Sequence, residues 1–209
     1  MEKHLFDELK IIEIIIYTLE RLYINDFILF ENNVSERTIV FRFGLYFDKL
    51  LKRIIKNKNL SIDFEYNRNI KSKYMFKSIG INENRRKTYP DIIVHERKKL
   101  SNNILAIEFK KWNSYKRNDL IIINGMEKSI DDVKLRYYTS PNNEYKYKLG
   151  LAIKLGKTIG ATEITIYKSG NIYIKGNYKE IKDNLELLFM RNKNEKIWLD
   201  WIYRYLSKH

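Results

Sequence analysis

Asp91, set directly after Pro90, and the triplet Glu108-Phe109-Lys110 are the residues of this chain best suited to chemistry. They open and close the stretch YPDIIVHERKKLSNNILAIEFKKW. Magnesium and similar hard cations enter a site through one or two carboxylates and keep several waters. A lysine beside them supplies a compact charge for a phosphate oxygen or for an attacking water. Two carboxylates and one ammonium at one place therefore point to metal-assisted cleavage of a phosphodiester, with an ion that polarises the phosphate and acidifies a water.

Two strands must bring these groups together. Asp91 to Glu96 and Ile104 to Lys110 read as strands joined by a polar turn rich in Lys, Ser and Asn. Strand alternation sends Glu108 and Lys110 to one face and Leu105, Ile107 and Phe109 to the other. If the strands pair, Asp91 lies beside the triplet. The competing reading is a surface ion pair of Asp91 and Glu108 with Lys110, worth ~0–1 kcal/mol. So small a gain gives little reason to gather three charges at the end of an apolar hairpin.

A Pro-Asp followed by Glu-x-Lys on apolar strands, with a helix and a strand before it, resembles the PD-(D/E)XK nuclease superfamily. ERTIVFRFGLYF and IDFEYNR also resemble the opening of small members of that superfamily. The resemblance covers about residues 34–167. It implies an α/β restriction-endonuclease-like core of order αβββαβ, a mixed sheet flanked by helices, with N- and C-terminal helices added to a single domain over 1–209. It implies a Mg²⁺-dependent endonuclease in which Mn²⁺ substitutes. Asp91, Glu108 and the Phe109 carbonyl would be metal ligands, and Lys110 would orient or deprotonate the attacking water. Superfamily members often place an acid of the first helix near the metal, and Glu36 matches that position. Glu36 also stands three residues after Asn33, as in a capping box, so both roles stay open. DNA is the expected substrate before RNA, by analogy with relatives.

Composition agrees with a polyanionic partner. The 209 residues carry 40 Lys and Arg against 26 Asp and Glu, a formal charge of +14. Abundant Lys, Ile and Asn also follow from base composition alone, so charge does not decide the matter. With no cysteine, disulfides and thiolate metal sites are excluded. No run approaches the ~20 apolar residues of a membrane span, and MEKHLFDELK does not resemble a cleavable signal. A cytoplasmic protein with no membrane attachment is the expectation, and a homodimer would suit double-strand cutting.

Around the motif, a helix is expected over Lys3 to Leu22, and a second from Asn33 or Ser35 with Ile39, Phe43, Tyr46, Leu50 and Ile54 buried. SIDFEYNR reads as a strand. Periodicity fails from Asn69 to Tyr89, which predicts a basic loop whose Lys71, Lys73, Lys77, Arg85, Arg86 and Lys87 either clamp a phosphate backbone or are merely solvated. A polar stretch then leads to a helix over Ser129 to Thr139. Its Lys134 either reaches the phosphate or is an exposed helix lysine. A strand in KYKLGLAIKL, a hairpin turning at Ser169-Gly170 and helices over Lys179 to Met190 and Glu195 to Leu206 complete the chain.

Two further patterns carry no chemistry. Gly150 and Gly156 before Lys157-Thr158 enclose five residues, where a phosphate-binding loop needs four and a following helix. Three histidines without cysteine supply too few zinc ligands, and His95 reads as structural. The rival functions are a non-catalytic nucleic-acid-binding module on the same fold and an assembly subunit whose terminal helices hold a partner.

Overall fold

The computed structural model describes residues 2–55, 59–65, 78–81, 84–97, 102–113, 120–123 and 125–190, without the side chains of 2–7, 54, 78–81, 84–87 and 188–190. Helices α1 (Glu2–Asn25), α2 (Ile28–Glu31) and α3 (Glu36–Ile54) lead into strand β1 (Leu60–Phe64). Strands β2 (Ser78–Ile81), β3 (Asn84–Lys87), β4 (Ile92–Glu96), β5 (Asn103–Lys111), β6 (Leu120–Ile123) and β7 (Met126–Ser129) follow. Helix α4 (Ile130–Thr139), β8 (Leu149–Leu155), a 3₁₀ turn (Ile159–Ala161), β9 (Glu163–Lys168), β10 (Asn171–Asn177) and α5 (Tyr178–Met190) end the described chain.

The fold is α/β, with one mixed sheet in the order β1-β4-β5-β8-β9-β10. β5 and β8 run parallel, and the other neighbours in this sheet are antiparallel. A parallel pair needs a long crossover, and α4 lies within it. Helices α1, α3 and α5 share a core with one face of the sheet, where Leu105, Ile107 and Phe109 of β5 point. The other face packs Ile93 and Ala106 against Leu135 and Tyr138 of α4 and against Tyr145, Tyr147 and Tyr167. Glu108 and Lys110 share the strand parity of Ala106 and so emerge on the α4 face.

Local chemistry sets the ends of these elements. Helix α3 starts after Ser35, whose side chain accepts from the Thr38 amide at 3.2 Å. Of the two expected starts, Ser35 is therefore the cap, and Asn33 takes a left-handed φ of 51°. The buried stripe of α3 holds Ile39, Phe43 and Leu50 as expected, joined by Phe47, while Tyr46 is partly exposed and packs against the core. Helix α1 is buried on nearly every side from Leu9 to Leu22, because α3 and α5 both lie against it. The β9–β10 hairpin turns at Ser169 and Gly170, both at positive φ, as a two-residue turn of type I′ requires.

Two corrections concern the polar segments. The span read as a basic loop contains the β2–β3 hairpin, and Arg85, Arg86 and Lys87 lie on β3. The polar stretch after Lys110 contains a second hairpin, β6–β7. The sequence carries a signal for it: the dipeptide Asn-Gly at 124–125 is one that favours hairpin turns, and Gly125 has φ +76°. Lys71, Lys73, Lys77, the end of SIDFEYNR from Tyr66 and the helix expected over Glu195 to Leu206 lie outside the described residues. Among the described residues, no helix is long and apolar enough to cross a membrane.

Candidate active site

The pairing of β4 with β5 ends at Ile92↔Ile107. Beyond it, β5 runs on to Lys111 and leaves amides on that edge without a strand partner among the described residues. Two carboxylates take them. Phe109 N donates to Asp91 Oδ2 at 2.7 Å, and Lys111 N donates to Glu36 Oε2 at 2.7 Å. A strand residue's carbonyl leaves from the same edge as its amide, so the Phe109 carbonyl faces the Asp91 side. The Lys111 ammonium, on a buried residue, donates to the carbonyls of Asn33 (3.2 Å) and Val34 (2.6 Å), which fixes the start of α3 over this end of β5. Glu36 is thus tied to β5 and caps no amide of its own helix, as the capping-box reading required.

On the α4 face, Glu108 is 4% exposed. Its Oε2 accepts from Lys134 Nζ at 3.1 Å, and the same ammonium lies 3.1 Å from Asp131 Oδ1. Lys110 Nζ stands 3.5 Å from Asp131 Oδ2. The competing reading, an ion pair of Asp91 and Glu108 with Lys110, is not what forms: Lys110 meets Asp131, Glu108 meets Lys134, and Asp91 holds a backbone amide. The reason is the crossover. Its helix lies directly over β5 and delivers Asp131 and Lys134 from one turn. Lys134 is not an exposed helix lysine, since only 17% of its side chain is accessible.

Two cavities flank this end of β5. One of about 630 Å³ is bordered by Glu36, Asp91, Arg37, Phe41 and Phe64. The other, about 280 Å³, is bordered by Glu108, Lys110, Ser129 and Asp131. The acids on the two sides still sense one another. Burial pushes Asp91 up to about 6, against the Phe109 amide, with Glu36 and Asp131 adding to the rise. Burial raises Glu108 well above the carboxylate range; Lys134 opposes the rise, and Asp131 and Asp91 add to it. Burial disfavours the Lys134 charge, yet the Glu108 and Asp131 carboxylates hold it above the ordinary lysine range.

No protein-family model, curated protein or solved structure matches this chain.

Among the described residues, no group of three or more His, Asp or Glu side chains is gathered closely enough to hold a metal by itself. Magnesium does not need one, because one or two carboxylates, a carbonyl and waters suffice. The donor set fits that demand: it is all oxygen, and Glu108 Oε1 is buried with no hydrogen-bond partner among the described residues. A buried carboxylate oxygen left in this state calls for an ion or water.

Other residues have structural duties. His95 Nε2 lies 2.8 Å from Asp63 Oδ2, and Arg97 pairs with the same carboxylate. Glu65 pairs with Arg37 at 2.8 Å. Asp131 is the site residue that sequence reasoning missed. Its i,i+3 spacing from Lys134 is legible, but only the crossover brings that pair onto Glu108.

Proposed function

We propose that this chain is a metal-dependent nuclease of the PD-(D/E)XK type, hydrolysing phosphodiester bonds of nucleic acid, DNA before RNA. The observation that carries the reading is Glu108, a nearly inaccessible carboxylate with one unsatisfied oxygen at the end of β5, coupled to Asp91 and followed by Lys110. The element order α3, β1, β4, β5, α4, β8 around a mixed sheet supports a restriction-endonuclease-like core. The +14 charge supports a polyanionic substrate.

Asp91, Glu108 and the Phe109 carbonyl would hold the ion, Mg²⁺ with Mn²⁺ as substitute. When bound, it supplies Lewis acidity toward the phosphate and an acidified water. The chain's own groups do the rest. Phe109 N–H fixes the Asp91 carboxylate in one orientation. Lys110, with its side chain 36% exposed, is the cation best placed to meet a phosphate oxygen from solvent. Lys134, deeper and already engaged with two carboxylates, keeps Glu108 in place. Glu36, bonded to the next amide of the same edge, holds a second acid beside Asp91.

The test is incubation with single- and double-stranded DNA and RNA in Mg²⁺ and in EDTA. Cleavage in Mg²⁺ alone is expected, and Lys110→Ala abolishes it while leaving nucleic-acid binding largely intact. Binding without cleavage in either Mg²⁺ or Mn²⁺ replaces this reading with a non-catalytic binding module.

A further inference from the structure

We propose that the cation site extends to Asp131, whose Oδ2 and the Oε1 of Glu108 take a divalent ion between them, with Lys134 as the brace that sets the two carboxylates side by side. The inference rests on the metal-dependent reading above and adds a residue to it.

Glu108 and Asp131 are each 4% exposed, so both carboxylates have left bulk water. Each gives one oxygen to the same ammonium: Glu108 Oε2 and Asp131 Oδ1 both lie 3.1 Å from Lys134 Nζ. The second oxygen of each accepts no hydrogen bond from a described residue. Lys110 Nζ stands 3.5 Å from Asp131 Oδ2, an ion-pair distance without hydrogen-bond geometry. Buried polar atoms in native proteins nearly always have partners, and an exception asks for an ion or a water. Here two exceptions border one cavity of about 280 Å³.

A purely structural duty for Asp131 accounts for less. Acids in the first turn of a helix favour its dipole, but that role is served from solvent and does not require burial. The adjacent Asp132 already serves the helix and its surroundings: it pairs with Arg136 at 3.0 Å and accepts from the Tyr167 hydroxyl at 2.9 Å. A buried ion pair alone would need one carboxylate for Lys134, and two are present. With Lys134 holding one oxygen of each, the second oxygens remain for a hard cation that completes its shell with water.

The probe is Mn²⁺, with its dissociation constant measured on the full chain by calorimetry and by the electron paramagnetic resonance of the free ion. Asp131→Asn is expected to weaken Mn²⁺ binding roughly tenfold or more, the range seen when a residue supporting a metal site is lost. Asp132→Asn on the same turn leaves binding unchanged. Should Asp131→Asn fail to fold, Asp131→Glu keeps the charge beside Lys134 and displaces its oxygens by one methylene; it too binds Mn²⁺ more weakly. A folded Asp131 variant with the wild-type dissociation constant, alongside Glu108→Gln that has lost Mn²⁺, overturns the assignment of Asp131 alone. A wild-type chain that binds no Mn²⁺ overturns the metal-dependent reading and this extension with it.

Discussion

Asp91 is held at a cost that pH reveals. Its pKa is about 6 in the fold against an ordinary 3.8. Between those values the native state binds more protons than the unfolded chain, so stability falls as pH rises from about 4 to about 6 and stays lowered above. The loss is about 2–3 kcal/mol. Asp91→Asn keeps an acceptor for the Phe109 amide and never ionises. Without divalent ions, urea titrations should find the Asn variant more stable at pH 7.5 and equal to wild type near pH 4. Lys134 gives the opposite lesson. Removing one partner of a buried ion pair typically costs 3–5 kcal/mol, and Lys110 near Asp131 softens the loss. Lys134→Met is therefore expected to cost about 3 kcal/mol by chemical denaturation, and Glu108→Gln in the same chain should recover part of it.

At the scale of elements, the end of β8 explains a glycine that mimics a phosphate-binding motif. Gly156 lies between β8 and the 3₁₀ turn, and a Cβ there would stand 2.6 Å from the Ala161 backbone. Its carbonyl accepts from the Tyr23 hydroxyl at 2.8 Å and its amide donates to Thr162 Oγ1 at 3.1 Å, which ties α1 to this corner. The strand β9 follows where a nucleotide-binding loop would begin a helix. Gly156→Ala should cost about 1–3 kcal/mol, as overpacking does, read as a lowered melting temperature. The elements themselves were largely legible. The alternation in β5, the amphipathic α3 and the Ser169-Gly170 turn all follow from local pattern. The β2–β3 and β6–β7 hairpins are harder to read, because β3 and β7 are polar runs of four residues with almost no periodicity, and Asn124-Gly125 alone marks the second turn.

For the molecule as a whole, the net charge makes a prediction about binding. A protein that neutralises about six phosphates loses roughly a thousandfold in affinity between 50 and 200 mM salt. Binding to DNA is expected to fall on that scale in fluorescence-anisotropy titrations, and a flat salt response would favour an assembly subunit whose charge reflects composition. Local pattern is enough for the α/β class, for the strand that carries Glu108 and Lys110, and for the face on which they emerge, because side-chain parity and helical spacing are local properties. Their partners come from long-range packing. Asp91 and Glu36 cap amides that exist because β4 stops short of the end of β5. Asp131 and Lys134 reach Glu108 because the β5–β8 crossover lays α4 over it. Such contacts join residues far apart in the chain, and no local pattern encodes which charge meets which.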